Sequence, residues 1–571
     1  MSAILSADDL NDFISPGVAC IKPVENLPEQ HPHDSENAYE VTTEDKLPSD
    51  RPTAQISLTD CLACSGCITS AEAILVSLQS HAEVLNALDA NPAFSIADLQ
   101  HLTSANSKKR DDSVPKKIFV ASVSPQVKAS LAVTYGTTQQ EAGYMIEQLF
   151  CGPNGLALGG RYGSSFAWIV ETNAMREICL AMGTEEALNA ASGSSSHTPI
   201  LTSACPGWVC YAEKTHPHVL PYLSKLKSPQ ALTGTLLKSI LSQRLDVSPD
   251  DIFHLAVMPC FDKKLEGSRQ ELTSKSWQPN TREDYSEVRD VDCVITAREI
   301  LMLADSRGIS FPSLPRTPVS ASIKPEFPDK LIAGFLFNTD GRSRQNPDSG
   351  TSGGYLHYII QEKQRQHPGS TIESQRGRNT DVVDYSITLN GQTIFRASRY
   401  YGFRNIQNLV RKLRPTRISK LSGKAIGAAR KPTNGTTTTA AATEYAYVEV
   451  MACPGGCTNG GGQIKFEDLS SLQSQTSHAQ SQKEWLTLVD EAYYSMDESN
   501  SEDSTEPRTV DEKAQILDVK SLIQHWSDIT NIPAEKLLWT SFREVHSDVG
   551  KTKKLDTERV AEIATKLGGG W

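Results

Sequence analysis

No run in this sequence approaches the roughly 18 consecutive apolar residues that a membrane-spanning helix needs, and the mean hydropathy of -0.36 suits a water-facing chain. No membrane anchor is expected. No basic, apolar leader opens it either: "MSAILSADDLNDF" puts Asp8, Asp9 and Asp12 where a secretory signal would carry lysine, arginine and an apolar core. An organellar presequence would be rich in arginine and poor in acids, so a cytosolic location is expected. Cationic residues are too few for a general nucleic-acid binder. The formal net charge is -12, whereas proteins that grip phosphates carry a lysine and arginine excess.

At 571 residues the chain exceeds what one hydrophobic core usually organises, so two or more lobes are expected. Its twelve cysteines are not expected to pair, because cytosolic thiols are kept reduced. Metal binding becomes the leading explanation for those that cluster. Stretches poor in apolar periodicity at 22–55, 103–117, 191–199, 430–443 and 468–512 read as irregular connections or insertions. The implied organisation is an N-terminal region over 1–100, a core over 117–467, a low-complexity acidic insertion over 468–512 and a helical C-terminal segment over 513–571.

Between the breaks lie short apolar runs: "KIFVASVSPQ", "TPILTSACPGW", "IFHLAVMPC", "DVDCVITAREI" and "YAYVEVMACPGG". Most end at a turn signal, and segments of helical spacing such as 230–245 and 353–366 separate them. Strands alternating with helices predict an α/β architecture with largely parallel sheets. Cys205, Cys260 and Cys453 each follow the expected end of one such strand. Ligands of open α/β sheets sit outside the carboxyl ends of strands, so three thiolates are offered to one crevice.

A different group stands near the N-terminus. "CLACSGC" spaces Cys61, Cys64 and Cys67 by two intervening residues, a spacing that lets three thiolates of one tight loop converge on a single cubane. A ferredoxin-type run would place a further cysteine at position 71, but the residue is Ala71. Cys20, the one cysteine upstream, is the candidate fourth ligand. Zinc is the competing metal, since it also takes four thiolates. It is generally held by pairs rather than a triplet, which favours a four-iron cluster. Downstream, Ile74, Leu78, Leu85 and Leu88 are expected on one packed helical face.

The segments "TSACPGW" (202–208), "MPCFDKKLE" (258–266) and "EVMACPGGCTNGGG" (449–462) resemble, in type and order, the three motifs that hold the active-site cluster of iron-only hydrogenases. "SPQ" at 228–230, "DVDCVITAREI" at 290–300 and "SGGY" at 352–355 look like further landmarks of that family. The resemblance implies a two-lobed iron-only hydrogenase-like fold, with parallel sheets flanking a cluster-binding cleft and a small N-terminal cluster-binding region. It makes Cys205, Cys260, Cys453 and Cys457 the ligands of a second four-iron cluster, with Lys263 and Glu266 matching the lysine and acid after the second motif's cysteine.

One departure outweighs the matches. A working hydrogenase carries two adjacent cysteines in the first motif, the earlier of which shuttles protons; here that position is Ala204. A methyl group cannot relay a proton. With Cys20 and the N-terminal triplet, this departure resembles the hydrogenase-like assembly factors of the eukaryotic cytosolic iron-sulfur pathway, also described as nuclear prelamin A recognition factor-like or Nar proteins. The resemblance implies two [4Fe-4S] clusters, no hydrogenase activity, and delivery of clusters to cytosolic and nuclear apoproteins through a targeting complex of a WD40-repeat protein and associated subunits. It also implies a role for Trp571, because relatives and clients end in an aromatic residue after an acidic one, although Gly570 takes the acidic place here. An iron-sulfur redox enzyme, either a residual hydrogenase or an electron carrier, is the alternative, and a purely structural use of the clusters is a third reading. Cys151, Cys179, Cys210 and Cys293 are expected to pack rather than ligate.

Overall fold

The computed structural model describes residues 76, 78–103, 115–192, 197–278, 287–338, 345–377, 379–414, 445–470, 472, 479–495 and 512–545. Its strands are β1 (Ile118–Val123), β2 (Trp168–Glu171), β3 (Ile200–Leu201), β4 (Ile252–Met258), β5 (Cys293–Thr296), β6 (Thr371–Arg376), β7 (Val382–Leu389), β8 (Gln392–Tyr401) and β9 (Tyr447–Met451). They form two sheets.

The first sheet has the order β2-β1-β4-β5 and is parallel throughout. Every residue of β1 and β4 is buried. Successive side chains of a strand point to opposite faces: Ile118 and Val120 enter one hydrophobic core, while Phe119, Ala121 and Val123 enter another. Cores on both faces are why these strands read as continuous apolar runs rather than alternations.

The second sheet has the order β3-β9-β8-β7-β6. β3, β9 and β8 run parallel, but β8, β7 and β6 form an antiparallel meander that the strand reading above does not contain. The reason is composition. β6 is exposed at every position and β7 buries only two side chains, so neither produces an apolar run. Their one local signal is Asn390-Gly391, with φ values of 53° and 77°. An Asn-Gly pair of this conformation is the favoured two-residue hairpin turn.

The expected helices at 230–245 and 353–366 are Pro229–Leu245 and Tyr355–Gln366. Ser228 caps the former by accepting the Ala231 N–H at 3.3 Å, with proline at the first helical position. Two expectations are corrected. The stretch 468–512, expected to be irregular, contains a helix over Gln482–Tyr494 that buries Trp485, Val489 and Tyr493. Those residues recur every four positions and so share one helical face; the serine-rich and acidic flanks masked them.

The N-terminal stripe is also different. Helix His81–Ala90 buries Val84 and Leu88, Leu85 is half-buried, Leu78 is 52% exposed, and Ile74 lies outside the described residues. The chain bends at Gln79 and Ser80 before the helix starts, which throws Leu78 off the packed face. Gln79 is buried instead. It donates to the Lys264 carbonyl at 2.9 Å and accepts the Val294 N–H at 3.1 Å. Among the described residues no helix is long and apolar enough to cross a membrane.

Candidate metal centre

Parallel register delivers the first and third candidate motifs to one place. β3 pairs with β9 so that Leu201 faces Val448, and the same offset carried past the strand ends puts Cys205 beside Ala452. The Ala452 N–H donates to the Cys205 sulfur at 3.3 Å. Cys205 then caps helix Pro206–Thr215, and Cys453 follows Ala452 directly.

The remaining motif arrives from the other sheet. β4 ends at Met258, two residues before Cys260, and the Pro259 carbonyl accepts the Gly462 N–H at 3.0 Å. That contact admits no side chain at Gly460, where a Cβ would lie 2.4 Å from the same carbonyl oxygen. The turn from Cys453 to Cys457 runs through Gly455 at φ 74° and Gly456 at φ 109°, conformations open to glycine and strained for other residues. Each glycine thus serves the approach of one cysteine to the others.

The four thiols share an environment. Cys205 is buried and the other three residues keep some exposure. Burial pushes the Cys205 thiol up to about 12, and Cys457 and Asp262 add to it. Cys260 and Cys453 are held well above the ordinary thiol range, first by burial and then by neighbouring charges that include the other three cysteines between them. Cys457 is raised by burial as well. Thiols that repel one another's ionisation need a cation to become thiolates. Among the described residues no three histidine, cysteine or acidic side chains are set to hold a single metal ion. A cubane takes one thiolate per iron, and four thiols that raise one another's pKa offer that donor set.

A buried cation stands beside them. Lys263 donates to the Ala204 carbonyl at 3.1 Å, the Ser228 hydroxyl at 3.1 Å and Glu266 at 2.7 Å. Burial opposes its charge, but Glu266 and the thiols of Cys260 and Cys205 outweigh that and raise its pKa. Gln230, the last residue of "SPQ", donates to the Lys263 carbonyl at 3.1 Å.

Several residues round the centre escaped the sequence reading. "SPQ" occurs twice, and the earlier copy, Ser124 to Gln126, also opens a helix after a strand. Gln126 donates to the Thr351 carbonyl at 2.9 Å and its own carbonyl accepts from Gln463 at 2.8 Å. The repetition was the available signal. Ser352, Tyr401 and Glu449 are all buried; Ser352 opens the quoted "SGGY" and Glu449 opens the quoted third motif, but neither was singled out, and Tyr401 lay in no quoted segment.

Cys20, Cys61, Cys64, Cys67 and Trp571 lie outside the described residues. Cys179 and Cys293 are buried in the two large cores, and Cys151 and Cys210 are half-buried.

A C-terminal strand-like run covers the Cys205 side. Thr540 N–H donates to the Lys225 carbonyl at 2.8 Å, Arg543 N–H to the Glu213 side chain at 3.0 Å and Val545 N–H to the Glu213 carbonyl at 3.0 Å. Glu213 in turn receives both guanidinium nitrogens of Arg269, at 2.9 and 2.6 Å, and Arg269 lies over the Phe542 ring. Ser203 and Pro206, on either side of Ala204 and Cys205, line one open pocket together with Glu266, Thr540 and Phe542.

Residues 117–461 match the family described as the iron only hydrogenase large subunit, C-terminal domain. The cytosolic Fe-S cluster assembly factor NAR1 of Coccidioides immitis is 53% identical, and nar1 of Emericella nidulans 55% identical, each over 100% of both chains. The apo [FeFe]-hydrogenase HydA1 from Chlamydomonas reinhardtii superposes with a TM-score of 0.52 at 20% identity, covering 82% of this chain and 100% of that one. The expected iron-only hydrogenase-like α/β fold is therefore present. The two full-length relatives carry assembly-factor names and not hydrogenase names. An iron-only hydrogenase domain with relatives above half identity along its whole length places the chain in the family of cytosolic Fe-S cluster assembly factors of the NAR1 type.

Proposed function

We propose that the protein is a non-catalytic member of the cytosolic iron-sulfur assembly machinery that binds two [4Fe-4S] clusters and passes clusters to cytosolic and nuclear apoproteins. Cys205, Cys260, Cys453 and Cys457 hold the buried cluster. Cys20, Cys61, Cys64 and Cys67 hold the other, near the N-terminus. Transfer proceeds through a targeting complex of a WD40-repeat protein and its associated subunits, with Trp571 as one contact. The protein works in the cytoplasm and also in the nucleus.

The observation that carries this reading is the pairing of a four-thiol centre with a proton-inert neighbour. The thiols of Cys205, Cys260, Cys453 and Cys457 stand within reach of one another's charge, while Ala204 offers them only a methyl group and a carbonyl already occupied by Lys263. Such a centre stores a cluster and lacks the acid-base group that hydrogen turnover requires. A bound cluster supplies iron that keeps these sulfurs ionised; the chain's own residues enclose it, with Lys263 balancing negative charge.

Iron and sulfide counts with absorption spectroscopy on the wild type, Cys64→Ala and Cys457→Ala test the assignment. Each variant is expected to lose the iron of one cluster, and full iron in Cys457→Ala would overturn the buried ligand set. Hydrogen evolution from the reconstituted protein, supplied with a strong reductant, is expected to stay at the level of free cluster. Turnover well above that level would restore the redox-enzyme reading.

A further inference from the structure

Gly455 and Gly456 give the turn before Cys457 its backbone angles and contribute no side chain to hold them. Neighbouring elements supply the hold. Thr351, 2% exposed, fills the space over Gly456, where an added Cβ would lie 2.2 Å from its hydroxyl oxygen. The same hydroxyl is 3.3 Å from the Gly455 carbonyl oxygen.

A second hold comes from helix Gln482–Tyr494, out of the stretch whose composition reads as irregular. Gln482 accepts the Phe466 N–H at 2.9 Å, Trp485 donates to the Ile464 carbonyl at 2.8 Å, and Asp490 accepts the Thr458 hydroxyl at 2.6 Å. An added Cβ at Gly455 would meet Leu486 at 3.8 Å. The spacing of Gln482, Trp485, Leu486 and Asp490 sets them on one helical face. That face touches the chain from Gly455 to Phe466, and Cys457 lies inside the span.

The Asp490 contact differs from the rest. Thr458 is 3% exposed and follows Cys457 directly, and its hydroxyl has a second neighbour, the Thr351 hydroxyl at 3.0 Å. Burial raises the Asp490 carboxyl to about 6, which leaves it ionised at neutral pH. A hydroxyl has one proton and a carboxylate only accepts, so the Thr458 proton goes to Asp490. The Thr351 proton then goes to the Gly455 carbonyl or the Thr458 oxygen, both on the turn. A bond to a charged acceptor is about twice as strong as a neutral one, which makes the Asp490 bond the firmest of these ties.

We propose that Asp490 is a positioning residue for the buried cluster: it holds Thr458, and through it Cys457, so that helix Gln482–Tyr494 clamps the turn that carries this ligand. The inference rests on the assignment of Cys457 as a ligand in the function proposed above. Hydrogen-bond partners that orient a metal ligand account for about 10- to 100-fold in metal affinity. Asp490 acts through the residue next to the ligand, so the lower figure applies.

The test is the rate at which a ferrous-iron chelator strips the buried cluster from the full chain, with the N-terminal cluster removed by Cys64→Ala. Asp490→Leu and Thr458→Val are each expected to speed the loss about tenfold. Because both break the same bond, the double variant is expected to lose its cluster no faster than either single one. A merely structural role does not give that equality, since independent losses of packing multiply in rate. Loss at the wild-type rate in Asp490→Leu overturns the proposal, and so does a double variant faster than both singles. If Thr458→Val does not fold, Thr458→Ala takes its place in the comparison. Unchanged iron in Cys457→Ala would refute the ligand assignment itself, which is a separate outcome from a full cluster that Asp490→Leu releases at the wild-type rate.

Discussion

The Lys263 ammonium lies 3.1 Å from the carbonyl oxygen of Ala204, so the cation of the second motif is fastened to the residue that distinguishes the first. Besides the Ser228 hydroxyl, it is held by the ion pair with Glu266 at 2.7 Å, in which the two side chains are 10% and 7% exposed. Removing one member of a buried pair strands the other charge and costs about 3–5 kcal/mol, whereas apolar replacement of both is often nearly neutral. Lys263→Met is expected to lose stability on that scale. Chemical denaturation should find the double variant Lys263→Met with Glu266→Leu more stable than the single one.

Two glycines should respond oppositely to alanine. At Gly460 the added methyl meets the Pro259 carbonyl oxygen at 2.4 Å, and backbone must move. Gly334, inside helix Lys330–Phe337, has nothing within 4 Å of the new atom. Gly460→Ala is expected to destabilise by about 1–3 kcal/mol and to reduce iron content. Gly334→Ala should stabilise by about 0.5–1 kcal/mol, because alanine restricts the unfolded chain and favours the helix. Thermal melts of both variants would check the contrast.

Trp485 tests the helix found within the acidic stretch. Its side chain is 1% exposed, and its indole donates to the Ile464 carbonyl at 2.8 Å. Truncating a buried tryptophan costs about 3–5 kcal/mol, and Trp485→Ala is expected to fall in that range by urea denaturation. A loop residue would change stability little.

Acid sensitivity should come in part from His254. Its ring is fully buried between the Ser122 hydroxyl at 2.9 Å and the Asp290 carbonyl at 3.0 Å, and burial holds its pKa down at about 4. Unfolding frees the ring to take up a proton near pH 6.5. The unfolded state thus gains protons first as pH falls, so stability is unaffected above about pH 7 and declines from about pH 6.5 to 4, by about 3 kcal/mol in all. His254→Gln is expected to be less stable at neutral pH and to show a shallower decline across that window.

Much of the candidate centre is legible in the sequence. Val- and Ile-rich runs ending at cysteines marked β4 and β9 because both faces of those strands are buried, and burial leaves its trace in composition. The β3 strand was fainter. It pairs over only Ile200 and Leu201, and the motif after it, more than its own pattern, located it. The polar β6 and β7 strands were invisible for the opposite reason, since exposed strands need no apolar residues. Glu449 and Tyr401 could not be linked from sequence, because 48 positions separate them and only the register of β8 with β9 brings them together.

The run from Trp539 to Val545 has a mechanical consequence. It is tied at both ends to the body of the protein, by the Leu226–Trp539 bridge and by Glu213. Glu213 sits near the far end of the ten-residue helix that Cys205 begins. That helix therefore has a sulfur of the candidate centre at its start and, near its end, the acid that holds the last described residues of the chain, so the two are joined through ten residues of continuous backbone hydrogen bonding.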